Sequence, residues 1–189
     1  MVTPVEPEAA RLVAAFVNTL DREEGRDELA TPGDLAAWLR TRSLLGAEVS
    51  TSAADVNRAA VLRESLRQLL LANNGVGEVA LDLSALNRCV DDACGSFQLR
   101  FEGDECVLKP LAEGFDAALA QILLAVGQAA ADGSWARLKA CADEECQWVF
   151  FDQSRNRAGH WCSMRSCGNR AKARQFRARR RSQAALPAR

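Results

Sequence analysis

Histidine is almost missing from this chain: 189 residues contain one, His160. That leaves neither a histidine-rich metal pattern nor a histidine placed for a nucleophilic triad. A glycine-rich phosphate loop is also missing. Nothing in the sequence reads as an active site, and the expectation is a protein that is not an enzyme. Lysine is scarce too, 3 against 21 arginines; with so much alanine, this reflects a GC-rich coding sequence more than chemistry. Long apolar runs are few. The longest, Ala117 to Ala131, is broken by Gln121 and Gln128 and reads as a buried helix rather than a membrane span. The segment from Met1 to Glu8 has no basic start and no apolar stretch of the secretory kind. The expectation is a cytoplasmic protein with no membrane partner. In that compartment thiols stay reduced, and clustered cysteines favour metal over disulfides.

What the chain does have is an uneven distribution. Its net charge of −1 conceals a split. Residues 1–136 carry 11 basic and 21 acidic side chains, a balance of −10, whereas residues 137–189 carry 13 and 4, a balance of +9. An acidic body with a basic module fits one part that folds or senses and one that binds phosphates. Neutralisation of one part by the other is the alternative.

Helical signals fill the first seventy-five residues. Ala9, Leu12, Val13, Phe16, Val17 and Leu20 recur at helical spacing. Thr31-Pro32-Gly33-Asp34 and Ser52-Ala53-Ala54-Asp55 both read as capped helix starts, and Asn73-Asn74-Gly75 as a stop. Leu35, Trp38 and Leu39 form the expected buried face of the second helix. The period then changes: Phe97, Leu99 and Phe101 alternate with polar residues, turn at Glu102–Glu105 and return through Lys109, a β-hairpin. A short helix is expected over 82–87 and a long apolar one over 112–131. Residues 1–133 hold enough periodicity for a core of their own. Asn18 and Arg63 interrupt apolar helical segments; they either line a small-molecule pocket or satisfy backbone and ion-pair partners.

The last fifty residues carry the chemistry. Cys141 and Cys146 form one Cys-x4-Cys pair, Cys162 and Cys167 another, fifteen residues further on. Four thiolates close a tetrahedral zinc shell and leave no open position for catalysis, so one structural Zn²⁺ is expected. The first pair reads as a knuckle, Trp148 to Phe151 as part of a small hairpin, and Cys167 as the start of the final helix. That is a treble-clef arrangement. Cys89-x4-Cys94 copies the spacing, with Cys106 nearby, but lacks a fourth ligand, and ordinary thiols are the better reading. His160 is expected to face solvent beside the metal.

The helix after Cys167 is dense in arginine. Arg170, Lys172, Arg174, Arg177 and Arg179, with Arg155 and Arg157 from the preceding turn, are the candidate nucleic-acid contacts. Phe176 and Ala173 are expected to pack inward. A solvated helix held against the acidic body is the competing reading.

The residues Cys141-x4-Cys146-x-Trp148-x-Phe150-x-Asp152-x-Ser154, Trp161-Cys-Ser-Met164 and Cys167-Gly-Asn-Arg170 resemble the CGNR zinc-finger family over roughly 137–181. Phe16-Val-Asn-Thr19, Leu35-x2-Trp38-Leu39 and Leu62-Arg63-x2-Leu66-Arg67 resemble the ABATE domain that usually precedes this finger. The resemblance implies a bacterial transcription regulator, sometimes described as stress-induced. His160 departs from it, standing where the family tends to have arginine and removing one expected phosphate contact.

The sequence therefore reads as a two-domain α+β protein. Residues 1–133 are expected to form a mainly helical ABATE-like domain with one hairpin, which senses a small-molecule effector or makes a homodimer. Residues 134–183 would be the four-cysteine finger and 184–189 a disordered tail. Zinc-dependent binding to duplex DNA is the leading function. An RNA- or ribosome-associated zinc protein and a module docking an acidic partner are the alternatives.

Overall fold

The computed structural model describes residues 5–75, 83–93, 97–102 and 105–184. Six α-helices lie in that range: α1 (Glu8–Val17), α2 (Pro32–Arg40), α3 (Ala53–Asn73), α4 (Leu83–Ala93), α5 (Gly114–Ala131) and α6 (Asn169–Ala184). Three two-stranded antiparallel hairpins join them: β1 (Leu20–Asp21) with β2 (Arg26–Asp27), β3 (Phe97–Glu102) with β4 (Glu105–Pro110), and β5 (Leu138–Ala140) with β6 (Val149–Phe151). The architecture is the expected α+β mixture of helices and small hairpins.

Local chemistry sets the starts of two helices. The Thr31 hydroxyl accepts from the Asp34 amide while the Asp34 carboxylate accepts from the Thr31 amide; Ser52 and Asp55 repeat the exchange at α3. Each box satisfies donors that a first helical turn leaves orphaned. The β3–β4 register pairs Leu99 with Leu108 and Phe97 with Pro110. The expected short helix over 82–87 is longer, running as α4 to Ala93. The turn residues 103–104, Cys94, the Cys106 side chain and the tail beyond Ala184 lie outside the described residues.

The core is built by α1, α2, α3 and α5. Val13, Phe16, Leu35, Leu39, Leu62, Leu66, Leu119 and Ile122 are fully buried in one cluster. α5 is long and apolar enough to cross a membrane by length and composition. Here it packs against α1 and α4 with Phe115, Leu119 and Ile122 inside.

The cluster does not stop at residue 133. Leu138, Ala140 and Val149, from the hairpin β5–β6, belong to the same buried set as the helices. β5 packs on α3, and β6 on α1. The expectation that residues 1–133 carry a self-sufficient core therefore meets a core to which Leu138, Ala140 and Val149 of the hairpin also belong.

Candidate metal centre and the basic helix

The metal centre sits at the tip of the β5–β6 hairpin. Cys141 follows β5 directly, and its amide donates to the Trp148 carbonyl across the turn (2.9 Å). The Cys146 amide donates back to the Asp143 carbonyl (2.9 Å), closing the knuckle that turns both sulfurs the same way. Cys162 arrives on the returning segment, held where the Ala142 amide donates to the His160 carbonyl (2.9 Å). Cys167 lies in a single π-helical turn, Met164–Gly168, that runs straight into α6.

All four sulfurs lie within 4.8 Å of one another. Cys146 to Cys162 and Cys162 to Cys167 each measure 3.7 Å. A tetrahedral shell with Zn–S bonds of about 2.3 Å requires sulfurs about 3.8 Å apart. The cluster is thus already at zinc spacing. Hydrogen bonds from Cys146 and Cys162 draw the Cys141 thiol far below the usual range, and holding those protons pushes both donors up. Four such thiols cannot all ionise side by side without a cation; Zn²⁺ removes that conflict. The residues present fit one structural zinc, and among the described residues no other group of three or more possible ligands converges in this way. Cys89 is a buried thiol outside this cluster, pushed up by burial.

The turn between the two cysteine pairs is shaped by a buried ion pair. Leu138 and Ala140 face the helices, so Lys139 points to the other side of β5. There its Nζ donates to Asp152 Oδ2 (2.8 Å) and to the carbonyls of Arg157 and Gly159. Burial would raise the Asp152 carboxyl, but Lys139, Ser154 and the Gly159 amide overbalance it and hold it well below the carboxylate range. A Cβ on Gly159 would stand 2.8 Å from Asp152 Oδ1, so this close approach requires glycine.

Polar residues of the helical body grip the finger by its backbone. Asn18, at the end of α1, accepts from the Val149 amide (2.7 Å) and donates to the Val149 carbonyl (2.9 Å), acting as a strand partner for β6. Arg67, fully buried, donates to the carbonyls of Val17, Leu20 and Gln147. Asn73 donates to the carbonyls of Trp135 and Leu138. Asn74 donates to those of Ala140 and His160, and its side-chain oxygen meets His160 Nδ1 at 2.7 Å. Arg63 stays within the body, bidentate to Asp27 and bonded to Thr19. Asn18 and Arg63 thus satisfy backbone and ion-pair partners, and neither lines the clefts described among these residues; His160 is half-buried and held rather than facing solvent. The sequence marks these residues only as polar interruptions of apolar helices; their partners lie far along the chain.

α6 divides into a root and a shaft. At the root, the Arg170 guanidinium donates twice to Glu23 in the β1–β2 turn, once to Asp143 in the knuckle (2.9 Å) and once to Cys167 Sγ (3.1 Å). Arg174 donates to the other Asp143 oxygen (3.0 Å). Asp143 is buried, 1% exposed, between the two guanidiniums. Glu23, foremost among these partners, holds the Arg170 guanidinium even further above its usual range; Arg170 in turn lowers the Glu23 carboxyl. So two of the candidate phosphate contacts have carboxylate partners inside the protein. Beyond the root, Lys172, Arg177 and Arg179 are exposed, as are Arg155 and Arg157 on the turn pinned by Lys139. Phe176 does not pack inward: it is 61% exposed, with the Arg180 guanidinium 5.9 Å from its ring centre. Ala173 is exposed as well.

A closed four-thiolate centre at the root of a basic helix, mounted on a helical body, defines a zinc-finger protein. The comparison with known families agrees. The CGNR zinc finger matches residues 137–180. The ABATE family, described as "putative stress-induced transcription regulator", matches residues 10–138, most of the chain, and the chain belongs to it. Neither is an enzyme family. Among curated proteins none matches the sequence.

Proposed function

We propose that this protein is a zinc-dependent regulator that lays α6 along duplex DNA. The observation that carries the reading is the composition and exposure of the shaft. α6 has seven basic residues and no acidic one, and from Lys172 to Arg180 each residue is exposed. A helix of that charge, without a core to bury into, repels itself unless it meets a polyanion. Lys172, Arg177 and Arg179 are its phosphate contacts, with Arg155 and Arg157 beside the finger. Arg170 and Arg174 act at one remove, fixing the angle at which the shaft leaves the zinc. Knuckle, hairpin and ligand-bearing helix together make the finger a treble clef, with a division of labour near residue 134 although packing crosses that point.

A salt titration of the zinc-loaded full chain on duplex DNA tests this. Each neutralised phosphate contributes roughly 0.9 to the slope of log affinity against log salt, so Arg177→Ala with Arg179→Ala should flatten it by about 1.8. Metal content should be unchanged, since neither residue touches a sulfur ligand. Absence of duplex binding at low salt, or an unaltered slope, would overturn the proposal. Equal or tighter binding to RNA, with no sequence preference on any duplex, would replace DNA by RNA as the partner.

A further inference from the structure

A cleft of about 880 Å³ opens on the body, away from the zinc. Its walls are the first half of α1, the strand β4 and one side of α5, with the segment after α2 closing one end. The size falls within the range of small-molecule sites. The floor is apolar: Leu12, Leu44, Leu124 and Ala125 line it. The rim is not. Arg11, Arg42 and Lys109 stand around it from three different elements, against one carboxylate, Glu8.

Arg42 is the best defined of the three cations. Its guanidinium lies 3.9 Å from the centre of the Trp38 ring, and Nη1 donates to the Trp38 carbonyl (3.3 Å) and to Thr41 Oγ1 (3.2 Å). Stacking and two anchors on one nitrogen fix the plane of the fork. Among the described residues it has no ion pair within 4 Å; loss of solvent lowers its pKa, and the Glu28 carboxylate, acting from further off, offsets part of that. A planar, oriented guanidinium above an apolar floor matches a carboxylate carried on an apolar body. A planar carboxylate meets the oriented Arg42 fork with two parallel hydrogen bonds, and the apolar floor takes the body that carries it.

We propose that this cleft binds a small organic carboxylate with an apolar body, the acid at the Arg42 side and the apolar part against Leu12 and Leu124. The site stands independently of what α6 binds. Octanoate and its neutral counterpart octanamide are the probes, titrated calorimetrically into the zinc-loaded full chain. Saturable binding of about one octanoate per chain is expected, with octanamide at least tenfold weaker. Arg42→Gln, a change at an exposed position, should erase the preference for the acid. Gln121→Trp, which fills the cleft from its half-buried wall, should remove octanoate binding while leaving zinc content and helical circular dichroism intact. No saturable binding of octanoate, equal binding of the amide, or octanoate binding untouched by Gln121→Trp would each overturn the assignment.

Discussion

The hairpin β5–β6 and the helix α6 belong to one zinc module, yet they meet the rest of the molecule in opposite ways. The hairpin is immersed. Leu138 and Ala140 are fully buried among α1 and α3, and four side chains of the body hold its backbone. The helix is tied down at its root, by Glu23 and Asp143, and from Lys172 to Arg180 its residues are exposed. The zinc lies between these two regimes. A metal there does more than close a small module: it joins a strand of the main core to a cationic helix in solvent, and it sets the direction of the second from the first. A boundary between sequence families near residue 138 is therefore not a boundary in packing.

The sharpest way to break that contrast is to remove the hairpin. A chain ending at residue 133 loses the apolar floor under α1 and α3, strips Asn18, Asn73 and Asn74 of the backbone partners described above, and takes the Gln147 carbonyl from Arg67. It is expected to lack a cooperative thermal transition. A well-behaved cooperative melt would show that the helices need nothing from the finger. Next in size is loss of the metal. Cys162→Ser should drop zinc from about one equivalent to near none, and because structural zinc contributes on the order of 10 kcal/mol to folding a small module, the finger should unfold. The shared core predicts that the helical body melts lower as well; an unchanged transition of the body would separate the two regions.

Arg67→Met should cost about 3–5 kcal/mol, since a buried guanidinium that serves three carbonyls cannot be deleted without stranding them. Chemical denaturation of full-length protein reads this directly. Asn18→Ala removes two hydrogen bonds to Val149 and is expected to cost about 1–3 kcal/mol. The smallest stability effect belongs to Glu23→Gln. The pair with Arg170 is exposed and screened by solvent, and its loss should leave the denaturation midpoint nearly unchanged. Its consequence lies elsewhere: the root of α6 loosens, and duplex affinity changes without any loss of zinc. A variant that binds DNA as wild type does would show that Asp143 alone orients the helix.

Much of this was legible in the sequence, for reasons of range. Capping at Thr31 and Ser52, the alternation of β3 and the four cysteines are signals read within a few residues, and each appears where expected. What escaped is long-range and polar. Asn18 and Val149 are 131 residues apart, and Arg67 and Gln147 are 80 apart; no local pattern announces either pairing. β5 is three residues with a lysine at the centre, which hides its strand character until Asp152 supplies a buried partner for that lysine. Phe176 misled because an aromatic on a helix usually marks a packed face. Here the basic residues around it keep the whole shaft in water, and the ring lies under Arg180 instead.

The contrast between hairpin and shaft is tested most directly by native-state hydrogen exchange on the zinc-loaded full chain. Amides of Lys139, paired with Phe150 in the β5–β6 ladder, and of Val149, which donates to Asn18 Oδ1, should exchange only through global unfolding, at the same free energy as those of Leu62 and Leu66 in α3. Amides from Lys172 to Arg180 should exchange orders of magnitude faster, through local fraying of a helix with no tertiary support. Fast exchange in β5 alongside a protected α3, or protection along the shaft of α6 equal to that of the core, would contradict the account.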